Sequence, residues 1–131
     1  MKKVLLVFSI VFTLVGILTS CNAQSPGGSD LKPNDFKARV DQTNVQLLDV
    51  RTPEEYSAGH IKGSVNLDWY DAAFKTKAAT LDKSKPVYVY CAVGGRSAQA
   101  KNLLQSLGFT SVFNLSGGIE AWKKMNLPIE K

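Results

Sequence analysis

The stretch Pro86-Val87-Tyr88-Val89-Tyr90-Cys91-Ala92-Val93-Gly94-Gly95-Arg96-Ser97 sets the reading of this chain. After the proline come four apolar or aromatic residues that favour a pleated, buried surface. The proline stands at the start, where a missing N–H is tolerated. They predict a central strand, and Cys91 ends it. Two glycines follow. Ala100, Leu103, Leu104 and Leu107 then recur at i, i+3, i+4 and i+7, the period of a core-facing helix, which Gly108 closes. Strand, glycine-rich turn and helix start in direct succession gather backbone N–H groups around one point. A thiol there sits in a cradle that stabilises anions, a thiolate included.

Outward from this loop the signals alternate. Pro33 to Val40 predicts a short helix with Phe36 and Val40 on one face, and Val45 to Val50 a strand. Thr52-Pro53-Glu54-Glu55 reads as a helix start. Thr52 suits the N-cap, Pro53 the first turn, and Glu55 the position whose carboxylate reaches back to the cap. Gly59 ends that turn. Ser64 to Leu67 predicts a strand, Tyr70 to Ala79 a helix, Ser111 to Leu115 a strand, and Ile119 to Lys124 a last helix after Gly117-Gly118. Such alternation implies an α/β fold with a parallel sheet. Ligands of such sheets bind beyond the carboxyl ends of the strands, where Asp49, Arg51, Cys91 and Asn114 fall.

The 131 residues suffice for one domain and a short appendage. The net charge is +5, or +3 once Lys2 and Lys3 are set aside, and no run of basic residues exceeds two. With no basic cluster interleaved with aromatics, nucleic acid is not an expected partner. A single histidine and few thiols support no metal site, and no cofactor is expected.

The N-terminus reads as a targeting segment. Met1-Lys2-Lys3 is a charged start, and Val4 to Leu18 a 15-residue apolar stretch, short of the roughly 20 residues a spanning helix needs. Leu18-Thr19-Ser20-Cys21 then resembles the lipobox of bacterial lipoproteins. That resemblance implies lipidation of Cys21, residues 1–20 as signal peptide, and a chain held at the extracytoplasmic face of a membrane. The alternative is an uncleaved signal anchor with Cys21 incidental. Residues 21–29 carry the lipidated cysteine and a tether of small and polar residues, and the folded domain is expected over 30–131. Cys91 is then the only free thiol of the mature protein.

Three stretches together resemble a known family. Leu47-Leu48-Asp49-Val50-Arg51-Thr52-Pro53-Glu54-Glu55-Tyr56 with Gly59-His60-Ile61-Lys62-Gly63-Ser64-Val65-Asn66 is similar to the first signature of rhodanese domains. Cys91-x-x-Gly94-x-Arg96-Ser97 resembles their active-site loop. Leu115-x-Gly117-Gly118-Ile119-x-Ala121-Trp122, with Leu127-Pro128, resembles their C-terminal signature. The resemblance implies a three-layer α/β/α fold around a five-stranded parallel sheet, order 1-5-4-2-3. It also implies sulfurtransferase chemistry, with Cys91 as nucleophile and persulfide carrier. Ala92, Val93, Gly94, Gly95, Arg96 and Ser97 form the anion cradle, with Arg96 as its cation. Expected partners are a small sulfur donor and a thiol or protein acceptor, for a monomeric protein.

Two other readings share this pattern: a non-catalytic rhodanese module that binds a partner or senses sulfur, and a cysteine-dependent phosphatase or arsenate reductase. The phosphatase type carries five residues between its cysteine and arginine; here there are four. Asp49 and Arg51 read as an internal structural pair, and His60 as a structural histidine holding its turn. Trp69 and Tyr70 either line the pocket mouth or pack, Trp122 belongs to the core, and Gly117-Gly118 serves backbone geometry. Family members that favour thiosulfate often carry more basic loops than this one. That points toward another persulfide or a polysulfide as donor.

Overall fold

In the computed structural model, which describes residues 27–131, the elements run β1 (Asp30–Leu31), α1 (Pro33–Val40), β2 (Gln46–Asp49), α2 (Pro53–Ala58), β3 (Val65–Asn66), α3 (Phe74–Ala78), β4 (Val87–Tyr90), α4 (Gly95–Ser106), β5 (Val112–Leu115) and α5 (Gly118–Lys124). The five strands are parallel and ordered β1-β5-β4-β2-β3. This is the expected α/β/α arrangement. The reading of residues 1–20 as a signal and of Cys21 as a lipid site lies outside the described residues.

Strand β4 lies at the centre, paired with β2 and β5, and all four of its residues are buried. Its alternation sorts the two halves of the core. Val87, Val89 and Cys91 join Phe74, Ala78, Ala100 and Leu104 on the α3–α4 side. Tyr88 and Tyr90 join Phe36, Ile119 and Trp122 on the α1–α5 side. A buried parallel strand has no solvent side, so both of its faces are apolar. On the second face Phe36 meets Tyr88 and Trp122 edge-on, at centroid distances of 5.5 and 6.4 Å. Trp122 is core, as expected, and its Nε1–H donates to the Pro128 carbonyl at 2.9 Å, satisfying its one donor.

Helix α3 starts later than the sequence pattern predicts. Asp68 accepts from the Tyr70 N–H at 2.9 Å, and Asp71 accepts from the Ala73 N–H at 2.8 Å. These side-chain turns hold residues 68–73 out of helix until Phe74. Strand β1 carries no apolar pattern of its own. It is held by the Asn114 N–H on the Ser29 carbonyl and the Ser116 N–H on the Leu31 carbonyl, at 3.1 and 2.8 Å.

One buried ion pair joins the sheet to α2. Asp49 and Arg51 are both inaccessible to solvent. Arg51 Nε donates to Asp49 Oδ1 and Oδ2 at 3.0 and 3.1 Å, its Nη2 to Oδ2 at 2.6 Å, and its own backbone N–H to Oδ1 at 2.9 Å. Nη2 also donates to the Gly59 carbonyl at 2.7 Å, tying the end of α2 to β2. The two side chains thus pair with each other inside the fold. Removing Asp49 would leave the Arg51 charge buried and unmatched. Asp49→Ala is therefore expected to lower stability by about 3–5 kcal/mol, and the double replacement Asp49→Ala with Arg51→Met by clearly less. Urea midpoints of the two variants check this.

Candidate active site

The loop after β4 wraps its backbone around the Cys91 sulfur. Gly94 takes φ 111°, a value an L side chain rarely tolerates, and serves as N-cap of α4. That turn aims its N–H at Cys91 Sγ, 3.1 Å away. The Ser97 hydroxyl, fully buried in the first turn of α4, lies 3.3 Å from the same sulfur. Burial opposes ionisation of the thiol. The Ser97 hydroxyl and the N–H groups of Ser97, Gly94 and Val93 outweigh it and draw the thiol below its ordinary pKa. Cys91 is 1% exposed, and it is the free cysteine among the described residues. The arrangement therefore favours a negative charge on sulfur chiefly through hydrogen-bond donors.

The turn between β5 and α5 supports the loop from beneath. Ile119 N–H donates to the Cys91 carbonyl at 2.9 Å and Glu120 N–H to the Ala92 carbonyl at 3.1 Å. Gly118 sits at φ 61°, and a Cβ there would meet the Ala92 and Cys91 carbonyl oxygens at 2.4 and 2.6 Å. Gly117-Gly118 thus does more than turn the chain: it lets α5 come close enough to pin the loop.

Arg96 is placed differently from a free cradle cation. Its Nη1 and Nη2 donate to Glu55 Oε2 and Oε1 at 2.8 and 2.9 Å, a bidentate pair. Its guanidinium also lies 5.7 Å from the ring centroid of Tyr70. Glu55 meanwhile completes the capping box of α2 by accepting from the Thr52 N–H at 3.0 Å. The Arg96 hydrogen bonds, opposed by partial burial and aided by Thr52, hold the Glu55 carboxyl at about 2.

Sequence reasoning saw Glu55 only as a cap. The available signal was topological: β2 and β4 are neighbours, so the loops leaving them must meet. Among the other expected residues, Trp69 packs on Phe74 at 4.9 Å, while Tyr70 stays 69% exposed beside Arg96. His60 stacks on Tyr56 at 3.9 Å, with Nδ1 3.1 Å from the Tyr56 carbonyl. Its backbone N–H and C=O bridge Glu130 at 2.8 and 2.9 Å. It holds a turn. Asn114, buried in β5, pairs in register with Val89 and Asp30. Among the described residues no three His, Cys, Asp or Glu side chains gather as a metal site.

Residues 32–125 match the family model of the rhodanese-like domain. The chain belongs to that family. The protein YqhL of Bacillus subtilis is 37% identical over 84 residues, covering 64% of this chain and 65% of its own length. Thiosulfate sulfurtransferase PspE of Escherichia coli is 39% identical over 70 residues, covering 53% and 67%. The matched part thus spans about two thirds of these curated relatives. The solution structure of the rhodanese-like domain of the Anabaena protein Alr3790 aligns with TM-score 0.68 at 35% identity, over 77% of each chain.

Two outcomes follow from this rhodanese-like loop. Alkylation of Cys91 by iodoacetamide should reach half its maximal rate at a pH below that of a free cysteine peptide measured alongside. Ser97→Ala, which removes one donor, should move that midpoint upward. The Glu55–Arg96 pair should add stability above the unfolded carboxyl value of 4.5 and lose it as pH falls toward about 2. Glu55→Gln should therefore be less stable than the native chain at neutral pH by about 1 kcal/mol for a solvent-screened pair. In urea titrations across pH the gap should close below 4.5.

Proposed function

We propose that this chain is a lipid-anchored sulfurtransferase. It moves sulfane sulfur from a donor (thiosulfate, a persulfide or a polysulfide) to a thiophilic acceptor through a persulfide on Cys91. One observation carries this reading: the Cys91 sulfur receives the Gly94 N–H and the Ser97 hydroxyl at 3.1 and 3.3 Å, in a loop that draws the thiol below its ordinary pKa.

The chemistry runs in two displacements. In the first, the Cys91 thiolate attacks the outer sulfur of the donor. A bond forms from Sγ to that sulfur, the donor's S–S bond breaks, and the electron pair leaves on sulfite when thiosulfate is the donor or on a thiolate when a persulfide is. In the second, an acceptor nucleophile attacks the outer sulfur of Cys91–S–S⁻, and the pair returns to Sγ as thiolate. No net oxidation occurs. The N–H groups that favour the thiolate also favour the anionic persulfide, so both displacements begin from a stabilised anion. The chain has two cysteines, and with Cys21 lipidated no second thiol remains to resolve the persulfide. The sulfur passes to another molecule, a small thiol or a protein.

Intact mass after incubation with thiosulfate or polysulfide tests the reaction. A gain of one sulfur atom is expected, and its loss in Cys91→Ser. No adduct from any sulfur donor, together with hydrolysis of a phosphate ester, would overturn the reading. The anchor is tested separately: Cys21→Ser should lose incorporation of labelled fatty acid and leave the membrane fraction.

A further inference from the structure

The loop around Cys91 is electrically unusual for a site that handles anions. Of residues 92–97 only Arg96 carries charge. Each of its terminal nitrogens donates to the Glu55 carboxylate, at 2.8 and 2.9 Å. Glu55 stays ionised throughout the physiological range, so the pair presents no net charge to an incoming donor. The rim is apolar as well. Val93, within the loop, and Tyr70, over Arg96, are each 69% exposed, far more than such side chains usually are in a folded domain. Hydrogen bonds from backbone N–H groups and the Ser97 hydroxyl can hold one negative charge on sulfur. Nothing in the loop is left to offset a second.

We propose that this site is built for an organic persulfide, a donor with at most one negative charge and an organic frame that packs on Val93 and Tyr70. The Glu55–Arg96 pair, with glycine at 95, disfavours dianionic thiosulfate. The proposal rests on the sulfurtransferase reading and narrows it to a donor class. In the loading step the Cys91 thiolate attacks the outer sulfur of R–S–SH. The Cys91 Sγ–S bond forms, the donor's S–S bond breaks, and R–S⁻ leaves with the electron pair. The outer sulfur keeps its proton or loses it to water. With thiosulfate the same attack brings a thiolate against a dianion and expels sulfite, also a dianion, with no free cation in the loop to offset either.

Gly95 makes this testable by gain rather than loss. It is exposed at the first position of α4, and a Cβ added there meets nothing within 4 Å. A side chain can therefore start there without a clash at Cβ, and a lysine adds a free positive charge to the loop.

The experiment measures the rate at which the full chain gains one sulfur atom by intact mass, with thiosulfate or with benzyl persulfide, a monoanion at most, as donor and no acceptor present. The native chain should load from the organic persulfide at least about tenfold faster than from thiosulfate, and Gly95→Lys should shift the ratio toward thiosulfate by about tenfold, the scale on which local charge raises the capture of an anion. Gly95→Ala, which changes the same position without adding charge, should shift the ratio by far less than Gly95→Lys. Val93→Ser should lower loading from the organic persulfide relative to thiosulfate. Native loading from thiosulfate at an equal or higher rate would overturn the proposal, as would an equal shift in Gly95→Ala and Gly95→Lys. Loading from neither donor, nor from inorganic polysulfide, would instead overturn the sulfurtransferase reading beneath it.

Discussion

The buried Asp49–Arg51 pair is the contact on which the active side of the molecule depends. Two full charges are held out of water there, and the geometry has to be good, because an unmatched buried charge is costly. Arg51 answers by satisfying Asp49 through two nitrogens and then reaching Gly59, the last residue of the α2 turn. Helix α2 is only six residues long and buries none of them, so packing does not orient it. The ion pair at one end and the Thr52–Glu55 capping box at the other do. With α2 fixed, Glu55 stands where Arg96 can grip it, and the start of α4 is fixed in turn. A chain of polar contacts thus runs from the end of β2 to the cysteine loop.

The sheet was legible in the sequence where physics acts locally. The run from Val87 to Tyr90 could only be a strand buried on both faces, and Thr52, Pro53 and Glu55 announced a helix start by cap chemistry alone. The four residues between Cys91 and Arg96 set the loop, and the convergence of N–H groups on sulfur followed from strand, glycine and helix in sequence. What escaped was either local competition or long-range pairing. Asp68 and Asp71 drew residues 68–73 into turns that an apolar period cannot reveal. Strand β1 has two residues and borrows its conformation from β5, so no pattern in Asp30 and Leu31 marks it.

The largest revision concerns charge. As a sequence, Arg96 beside a cysteine loop reads as a cation offered to the ligand. In the fold its guanidinium faces a carboxylate 41 positions earlier in the chain, and the two cancel. Linear distance hides this pairing, although the adjacency of β4 and β2 brings the two loops together. The sulfur is stabilised by peptide dipoles and one hydroxyl instead, a source that neither salt nor a competing carboxylate readily removes.

Gly118 couples two separate stretches of the chain. Its missing side chain leaves room for two carbonyl oxygens that belong to residues 91 and 92, not for anything in its own turn. The vacancy and the groups that fill it are coded more than twenty positions apart. Neither stretch can drift alone: a methyl at 118 pushes the thiol's own carbonyl aside, and a reshaped loop forfeits the two donors at Ile119 and Glu120. What look like two motifs in the sequence are one structural part.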